Sequence, residues 1–303
     1  MQVPPFLKKG DVVGIVAPAK AIEADKISTA VAFWEKHGFN VRVGKHCLGR
    51  SNYFSGTDQE RASDFQAMLD DDEVKAIVCA RGGYGCIRLI DRLNWASLVN
   101  HPNWIIGFSD VTVFHQYVNK LEVATMHATM PLNYSENTTE SLESMLNQLT
   151  GKSYSVTWSS TLGSKAGEVT GEMIGGNLAV LTSMIGTRNK ADYTGKILFL
   201  EEVGEPLYAI DRMFYQLANS GILERIKGLI IGSFSGIKDT EVPYGESLVS
   251  VVSHHLKFLK IPVSFDFPVG HQNDNRAIIV GGKYSFNVQN NGVSELRYEE
   301  NAR

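Results

Sequence analysis

Trp104-Ile105-Ile106-Gly107-Phe108-Ser109-Asp110-Val111 is the stretch whose reading decides the fold. Residues 104–107 are short and apolar, as a strand buried on both faces must be. Residues 111–121 carry helical spacing. A strand that runs into a helix is half of a parallel crossover unit, and three more strand patterns precede this one. Val12-Val13-Gly14-Ile15-Val16-Ala17 ends in Pro18, residues 39–43 are strand-like, and Ala76-Ile77-Val78-Cys79-Ala80 is continuously apolar. Between them, Ile27, Val31 and Trp34 fall at helical spacing before Gly38, and Ala62, Phe65, Met68 and Leu69 mark a second amphipathic helix. Residues 85–93 also read as helical. This alternation predicts an α/β fold with a doubly wound parallel sheet, in which ligands bind beyond the carboxyl ends of the strands.

The pattern changes after Pro131. Residues 133–137 are polar, 138–149 form a helix pattern, and 151–167 are rich in Ser, Thr and Gly. We read 1–150 as a Rossmann-like or flavodoxin-like N-terminal domain, 151–165 as a linker and 166–303 as a smaller mixed α/β C-terminal domain. In the latter, Leu178, Leu181 and Ile185 predict a helix after Gly175-Gly176. Residues 196–200 and 229–232 predict strands, and 209–217 and 247–259 predict helices. Residues 277–280 and 284–288 predict a hairpin around Gly281-Gly282.

The 303 residues suffice for two domains. A net charge of -4 argues against nucleic acid as the partner, since phosphate backbones require a basic surface. No stretch approaches the roughly 20 apolar residues of a membrane span. Cys47, Cys79 and Cys86 are an odd number without metal-ligand spacing. Residues 1–10 carry Lys8 and Lys9 without an apolar segment, unlike a secretory signal. A reducing, cytoplasmic setting is therefore expected.

A serine in a sharp strand-to-helix turn has its hydroxyl exposed, with backbone N–H groups of the helix start beside it. Ser109 fits this description, although Ser109 or Asp110 can also serve as a plain helix cap. The elbow pattern lacks its second glycine, Val111 standing there. Arg81-Gly82-Gly83-Tyr84-Gly85 follows another strand, so it lies on the same sheet edge, where glycine-rich backbone can cradle an anion. A serine nucleophile needs a base. Among eight histidines, His37 and His46 lie in surface-like contexts, His115 and His127 flank the Ser109 helix, and His254-His255 read as solvent-facing. His271 lies in a Pro- and Gly-containing loop, Phe267-Pro268-Val269-Gly270-His271, where catalytic groups concentrate. Leu198-Phe199-Leu200-Glu201-Glu202 ends a strand with two acids whose side chains should point to opposite faces, one to a cleft and one to solvent. The residues alone leave open which is which.

Together these segments, with Gly14-Ile15-Val16-Ala17-Pro18 and Gly175-Gly176-Asn177-Leu178, resemble the L,D-carboxypeptidase family of serine peptidases, which includes muramoyltetrapeptide carboxypeptidases and related microcin-resistance peptidases. The similarity runs over nearly the whole chain. It implies Ser109 as nucleophile, Glu201 as the triad carboxylate and His271 as base. It also implies an oxyanion hole from the N–H groups of Asp110 and of Gly82 or Gly83, with Gly83 preferred, and an active site between two domains. Where the family commonly has Asp after the triad acid, this chain has Glu202. The implied activity is release of terminal D-alanine from a murein tetrapeptide during cell-wall recycling, usually by a homodimer and with no metal or organic cofactor. Arg81, Arg188 and Arg212 are candidates to pair the substrate carboxylate, and Asn177 is a further binding candidate. The alternatives are a microcin-type peptidase acting on aminoacyl-nucleotide amides and a non-catalytic Rossmann-like binding module. The short distance from Ile185 to Leu200 disfavours the former, whose members tend to carry an insertion there. The latter gives no reason for Glu201 and His271.

Overall fold

The computed structural model describes residues 1–160 and 163–299. The chain forms two compact units, residues 1–152 with 273–281, and residues 153–272 with the chain from 282 onward. The first contains β1 (Val12–Val16), α1 (Ala24–Lys36), β2 (Asn40–Val43), α2 (Asp58–Leu69), β3 (Val74–Cys79), α3 (Ala96–Asn100), β4 (Trp104–Gly107), α4 (Thr112–Lys120), β5 (Thr125–His127) and α5 (Thr139–Leu149). Its strands run in the order β2-β1-β3-β4-β5, all parallel. β4 is buried throughout, as its apolar run requires. Thr57 and Glu60 start α2 with reciprocal side-chain-to-backbone bonds, which satisfy two otherwise orphaned N–H groups. Phe65 of α2, Phe114 of α4 and Trp95 pack ring to ring, with Phe65 and Phe114 centroids 4.9 Å apart. Burying each such ring contributes about 1.5–3 kcal/mol.

The second unit contains β6 (Ser155–Ser159), β7 (Gly167–Asn177), α6 (Leu178–Ser183), β8 (Ile197–Val203), α7 (Leu207–Asn219), α8 (Ile222–Arg225), β9 (Gly228–Ser235), α9 (Leu248–Leu256) and β10 (Val263–Ser264). The next strand, β11 (Ile278–Val280), joins the first unit's sheet, antiparallel to β5. β12 (Lys283–Val288) and β13 (Val293–Tyr298) complete the second sheet, ordered β10-β9-β8-β7-β12-β13-β6. Its first four strands are parallel and its last four antiparallel. No helix among the described residues is long and apolar enough to cross a membrane.

Three local expectations change. The stretch read as a linker holds β6, bonded to β13, while residues 161 and 162 lie outside the described residues. The expected hairpin around Gly281-Gly282 does not form, because its two halves pair with different sheets. Side chains of α5 hold the first half in place: Ser141 Oγ donates to the Asn275 carbonyl (2.8 Å), Ser144 Oγ accepts from Ala277 N–H (2.8 Å), and Gln148 donates to the Ala277 carbonyl (2.6 Å). The terminal hairpin is β12–β13, turning through Asn290-Asn291-Gly292, with Gly292 N–H donating to the Gln289 carbonyl (3.0 Å) and Gly292 in the left-handed region at φ +82°. Residues 85–93 form two 3₁₀ turns, Cys86–Arg88 and Ile90–Arg92, rather than a helix. Cys86 N–H is drawn to the Asp110 carboxylate at 2.8 Å, which commits the backbone there to a tertiary bond.

Candidate active site

β4 ends at Gly107, and one 3₁₀ turn, Ser109–Val111, leads into α4. Ser109 has φ +62°. A side-chain-bearing residue in this left-handed region is strained by about 1–2 kcal/mol, so the surroundings must hold it there. His115, fully buried, places Nε2 2.8 Å from the Gly107 carbonyl and Nδ1 2.8 Å from Thr125 Oγ1. Burial pushes this imidazole down to about 4, so it is neutral near pH 7 and donates from Nε2 to the carbonyl that ends β4. Asp110 is buried too. Burial raises its carboxyl above the usual range, opposed by the N–H groups of Cys86 and Gly85 and by the charge of Arg61. The carboxylate thereby ties the glycine-rich turn to the serine turn.

Gly82 shows how close that contact is. A Cβ added there would lie 3.1 Å from Ser109 Cβ, 3.2 Å from Oγ and 3.3 Å from the Asp110 nitrogen. Gly83 has φ +104°, and a Cβ there would meet Tyr53 Oη at 2.8 Å and Lys20 Cβ at 3.1 Å. Buried Arg61 braces the turn from behind, donating to the carbonyls of Pro18, Gly85 (3.3 Å) and Gly56 (3.2 Å). Gly82→Ala should therefore displace Ser109 or the Asp110 N–H by a few tenths of an ångström or more. The expected result is a fall in kcat of about 10²-fold with KM changed only a few-fold. Steady-state kinetics on the tetrapeptide that the sequence resemblance implies as substrate checks this, and a variant with unaltered kcat would contradict it.

In the second unit, β8 carries Glu201-Glu202 just before its last residue, Val203. Both acids are buried, at 0% and 2% exposure, against the expectation that one faces solvent. The register of β8 on β9 shifts between Leu200 and Glu202, and β8 is an inner strand buried at every position but its last, so neither acid has an open face. Glu201 Oε2 lies 2.6 Å from His271 Nδ1, while Oε1 is buried with no hydrogen-bond partner among the described residues. Glu202 instead accepts from Asn177 Nδ2 (3.0 Å), Ala179 N–H (2.7 Å) and Val203 N–H (2.8 Å), anchoring the start of α6. The His271 loop is held by Ser233 N–H on the Val269 carbonyl (2.8 Å) and by Ser235 Oγ on the His271 carbonyl (3.0 Å). Gly270, at φ +107°, lets that loop lie against the acid, since a Cβ there would come within 2.5 Å of Glu201 Cβ. Burial disfavours the charged His271 ring, but the Glu201 hydrogen bond and charge, with Glu202 behind, outweigh it and raise the imidazole above its usual value. With Nδ1–H donating to Glu201, the lone pair of the neutral ring is on Nε2.

The other candidates are placed as follows. Asn177 caps α6, its Oδ1 accepting from Val180 N–H at 3.1 Å. Arg81 donates from Nη1 to the Ala21 carbonyl at 2.9 Å. Arg188 lies in the turns after α6, and Arg212 lies on α7 over the Tyr208 ring. His255 is not solvent-facing: its side chain is 3% exposed, bonded to Asp211 at 2.8 Å and packed edge-on against Tyr215. The signal was there in α9, whose apolar positions leave 255 next to the buried Val251, Val252 and Leu256. The three cysteines are free and buried, and burial pushes Cys47 up to about 12.

Residues 13–128 match the LD-carboxypeptidase N-terminal domain, and residues 170–286 match the LD-carboxypeptidase C-terminal domain. The chain is 33% identical to a probable murein peptide carboxypeptidase of Bacillus subtilis strain 168, across 99% of this chain and 96% of that one. Its fold superposes on the muramoyltetrapeptide carboxypeptidase from Oxalobacter formigenes with a TM-score of 0.88 at 28% identity, covering 95% and 99% of the two chains. A similar superposition on the microcin self-immunity protein MccF, with a TM-score of 0.87 and 98% coverage of each chain, comes at 21% identity and shows a common fold alone. The two domain matches and the near-complete alignment place this chain in the LD-carboxypeptidase family.

Proposed function

We propose that the protein is a serine L,D-carboxypeptidase that releases terminal D-alanine from murein tetrapeptides, with Ser109, His271 and Glu201 as its triad. The observation that carries this reading is the 2.6 Å bond from His271 Nδ1 to a fully buried carboxylate. It fixes the ring's tautomer and orientation as a general base requires. The strained turn at Ser109 supports the same reading from the other unit. In the proposed reaction His271 Nε2 takes the Ser109 proton as Oγ attacks the scissile carbonyl. The N–H groups of Asp110 and Gly83 stabilise the oxyanion, His271 returns the proton to the departing D-alanine nitrogen, and water then releases the acyl group. The three free cysteines and the family's recycling chemistry support a cytoplasmic setting, and the family resemblance supports a homodimer.

Purified protein incubated with murein tetrapeptide and pentapeptide should release free D-alanine, followed by mass spectrometry, from the tetrapeptide only. The length limit follows from the terminal carboxylate. A fixed cation or N–H group that pairs with it is left unpaired when the chain end is displaced, at about 1–3 kcal/mol or more for a charged partner. Turnover of an aminoacyl-sulfamoyl adenosine with none of the tetrapeptide would replace this reading with the microcin-type one.

A further inference from the structure

The order β2-β1-β3-β4 reverses direction between β1 and β3, since the chain leaves β1 toward β2 and returns on the other side as β3. Open parallel sheets bind ligands in the crevice beyond the carboxyl ends at this reversal. Two basic residues stand there. Lys20 lies four positions past the end of β1, and Arg81 two past the end of β3. The backbone links them: Lys20 N–H donates to the Gly82 carbonyl at 3.3 Å, and Arg81 Nη1 to the Ala21 carbonyl at 2.9 Å. Lys20 Nζ lies 5.0 Å over the Tyr53 ring.

Neither cation forms an ion pair with an acid among the described residues. Their neighbours in this unit do: Arg50 pairs with Glu23, Arg61 and Arg88 pair with Asp58, and Arg42 pairs with Asp71 and Glu73. An anion brought to this part of the sheet edge therefore meets two cations that no acid neutralises among the described residues. Both residues also flank the turn that touches the nucleophile. Gly82 abuts Ser109 and Asp110 N, and Gly83 abuts the Lys20 stem. In a peptide whose last bond is cut, the terminal carboxylate carbon is three bonds from the scissile carbonyl carbon, about 4 Å away. Its partner must therefore lie within about a residue's reach of Ser109.

We propose that Lys20 and Arg81 form the subsite for the terminal carboxylate of the residue released, with Tyr53 fixing the Lys20 stem. The proposal rests on the carboxypeptidase reading and ranks Arg81 ahead of Arg188 and Arg212 for this task. It makes Lys20 a specificity-determining residue.

The test compares kcat/KM for the tetrapeptide with that for its C-terminal carboxamide, in the wild-type protein and in Lys20→Met, Lys20→Arg and Arg81→Lys. The wild type should prefer the free carboxylate by about 10- to 10²-fold, as expected for a charge-assisted bond. Lys20→Met, which keeps an apolar stem over Tyr53, should bring that ratio close to one, mostly through KM for the acid. Lys20→Arg should restore most of it, and Arg81→Lys should lower it several-fold. Wild-type ratios in both Lys20→Met and Arg81→Lys would overturn the subsite while leaving the carboxypeptidase reading intact. An equal loss on acid and amide in Lys20→Met would overturn it too, as the sign of a structural role. A wild type that hydrolyses neither peptide would overturn the function and the subsite together.

Discussion

Ser109→Ala should lower kcat for D-alanine release by about 10⁴- to 10⁶-fold, the loss expected on removing the proposed serine nucleophile. The Cβ stays, so the backbone strain stays and the melting temperature should be close to that of the wild type. Ser109→Gly is equally inactive but differs in stability. Glycine adopts φ +62° without the 1–2 kcal/mol steric penalty, against which its extra freedom in the unfolded chain costs about 0.5–1 kcal/mol. The net gain should be a few tenths to about 1 kcal/mol, read by denaturant unfolding of the two variants side by side. A gain in stability on losing the functional group is what a turn strained for catalysis should show. Residual activity near the wild-type level in Ser109→Ala would remove Ser109 from the mechanism.

Glu201→Gln is the second large effect, with kcat falling by about 10⁴-fold. The amide either presents its NH₂ to His271 Nδ1 or accepts only weakly, so the ring loses its tautomer and its charge stabilisation. The pH profile separates this from a general loss of structure. If His271 is the base, as proposed, it works when neutral, and because its value is raised the acid limb of kcat/KM should lie above the ordinary histidine value of about 6.5, with activity lost as pH falls through it. Glu201→Gln removes the two largest raising influences and leaves burial, so the limb of the residual activity should move to lower pH. The same pairing stabilises the fold fully below about pH 6.5 and fades as pH rises through the raised value. Glu202→Gln should be milder in kcat and should act on stability, because Glu202 holds Ala179, Val203 and Asn177 rather than the histidine. Leaving one of these donors mispaired in a buried site costs about 1–3 kcal/mol. Kinetic losses in the reverse order would transfer the carboxylate role to Glu202.

Much of the candidate site is legible in contiguous residues. Gly107-Phe108-Ser109-Asp110 declares a strand-to-helix turn because the apolar run, the glycine and the helical spacing that follow one another are all local properties. The glycine-rich turn at 81–85 and the His271 loop declare themselves in the same way. The difference between Glu201 and Glu202 does not. Strand alternation predicts opposite faces for adjacent side chains, but β8 is an inner strand buried along nearly its whole length, and only the partners met in space, His271 for one acid and Asn177, Ala179 and Val203 for the other, tell the two apart. His255 misleads for a related reason: its burial depends on Asp211 and Tyr215 of α7, about 40 positions away.

The sequence by itself determined four of the five parallel strands of the first sheet, the position of the Ser109 turn, and the pool of acids and histidines from which the proposed triad is drawn. These rest on periodicity and turn chemistry, which each segment carries within about ten residues. The tertiary structure alone decided that Ile278–Val280 leaves its neighbours to pair with β5, that Glu201 rather than Glu202 holds His271, and that the Lys20 segment is bonded to the Arg81 turn, 61 positions on. Each of these depends on which backbone donor or charge is nearest in space. Pairing, burial and charge balance are sums over partners distant along the chain, and no local pattern records them.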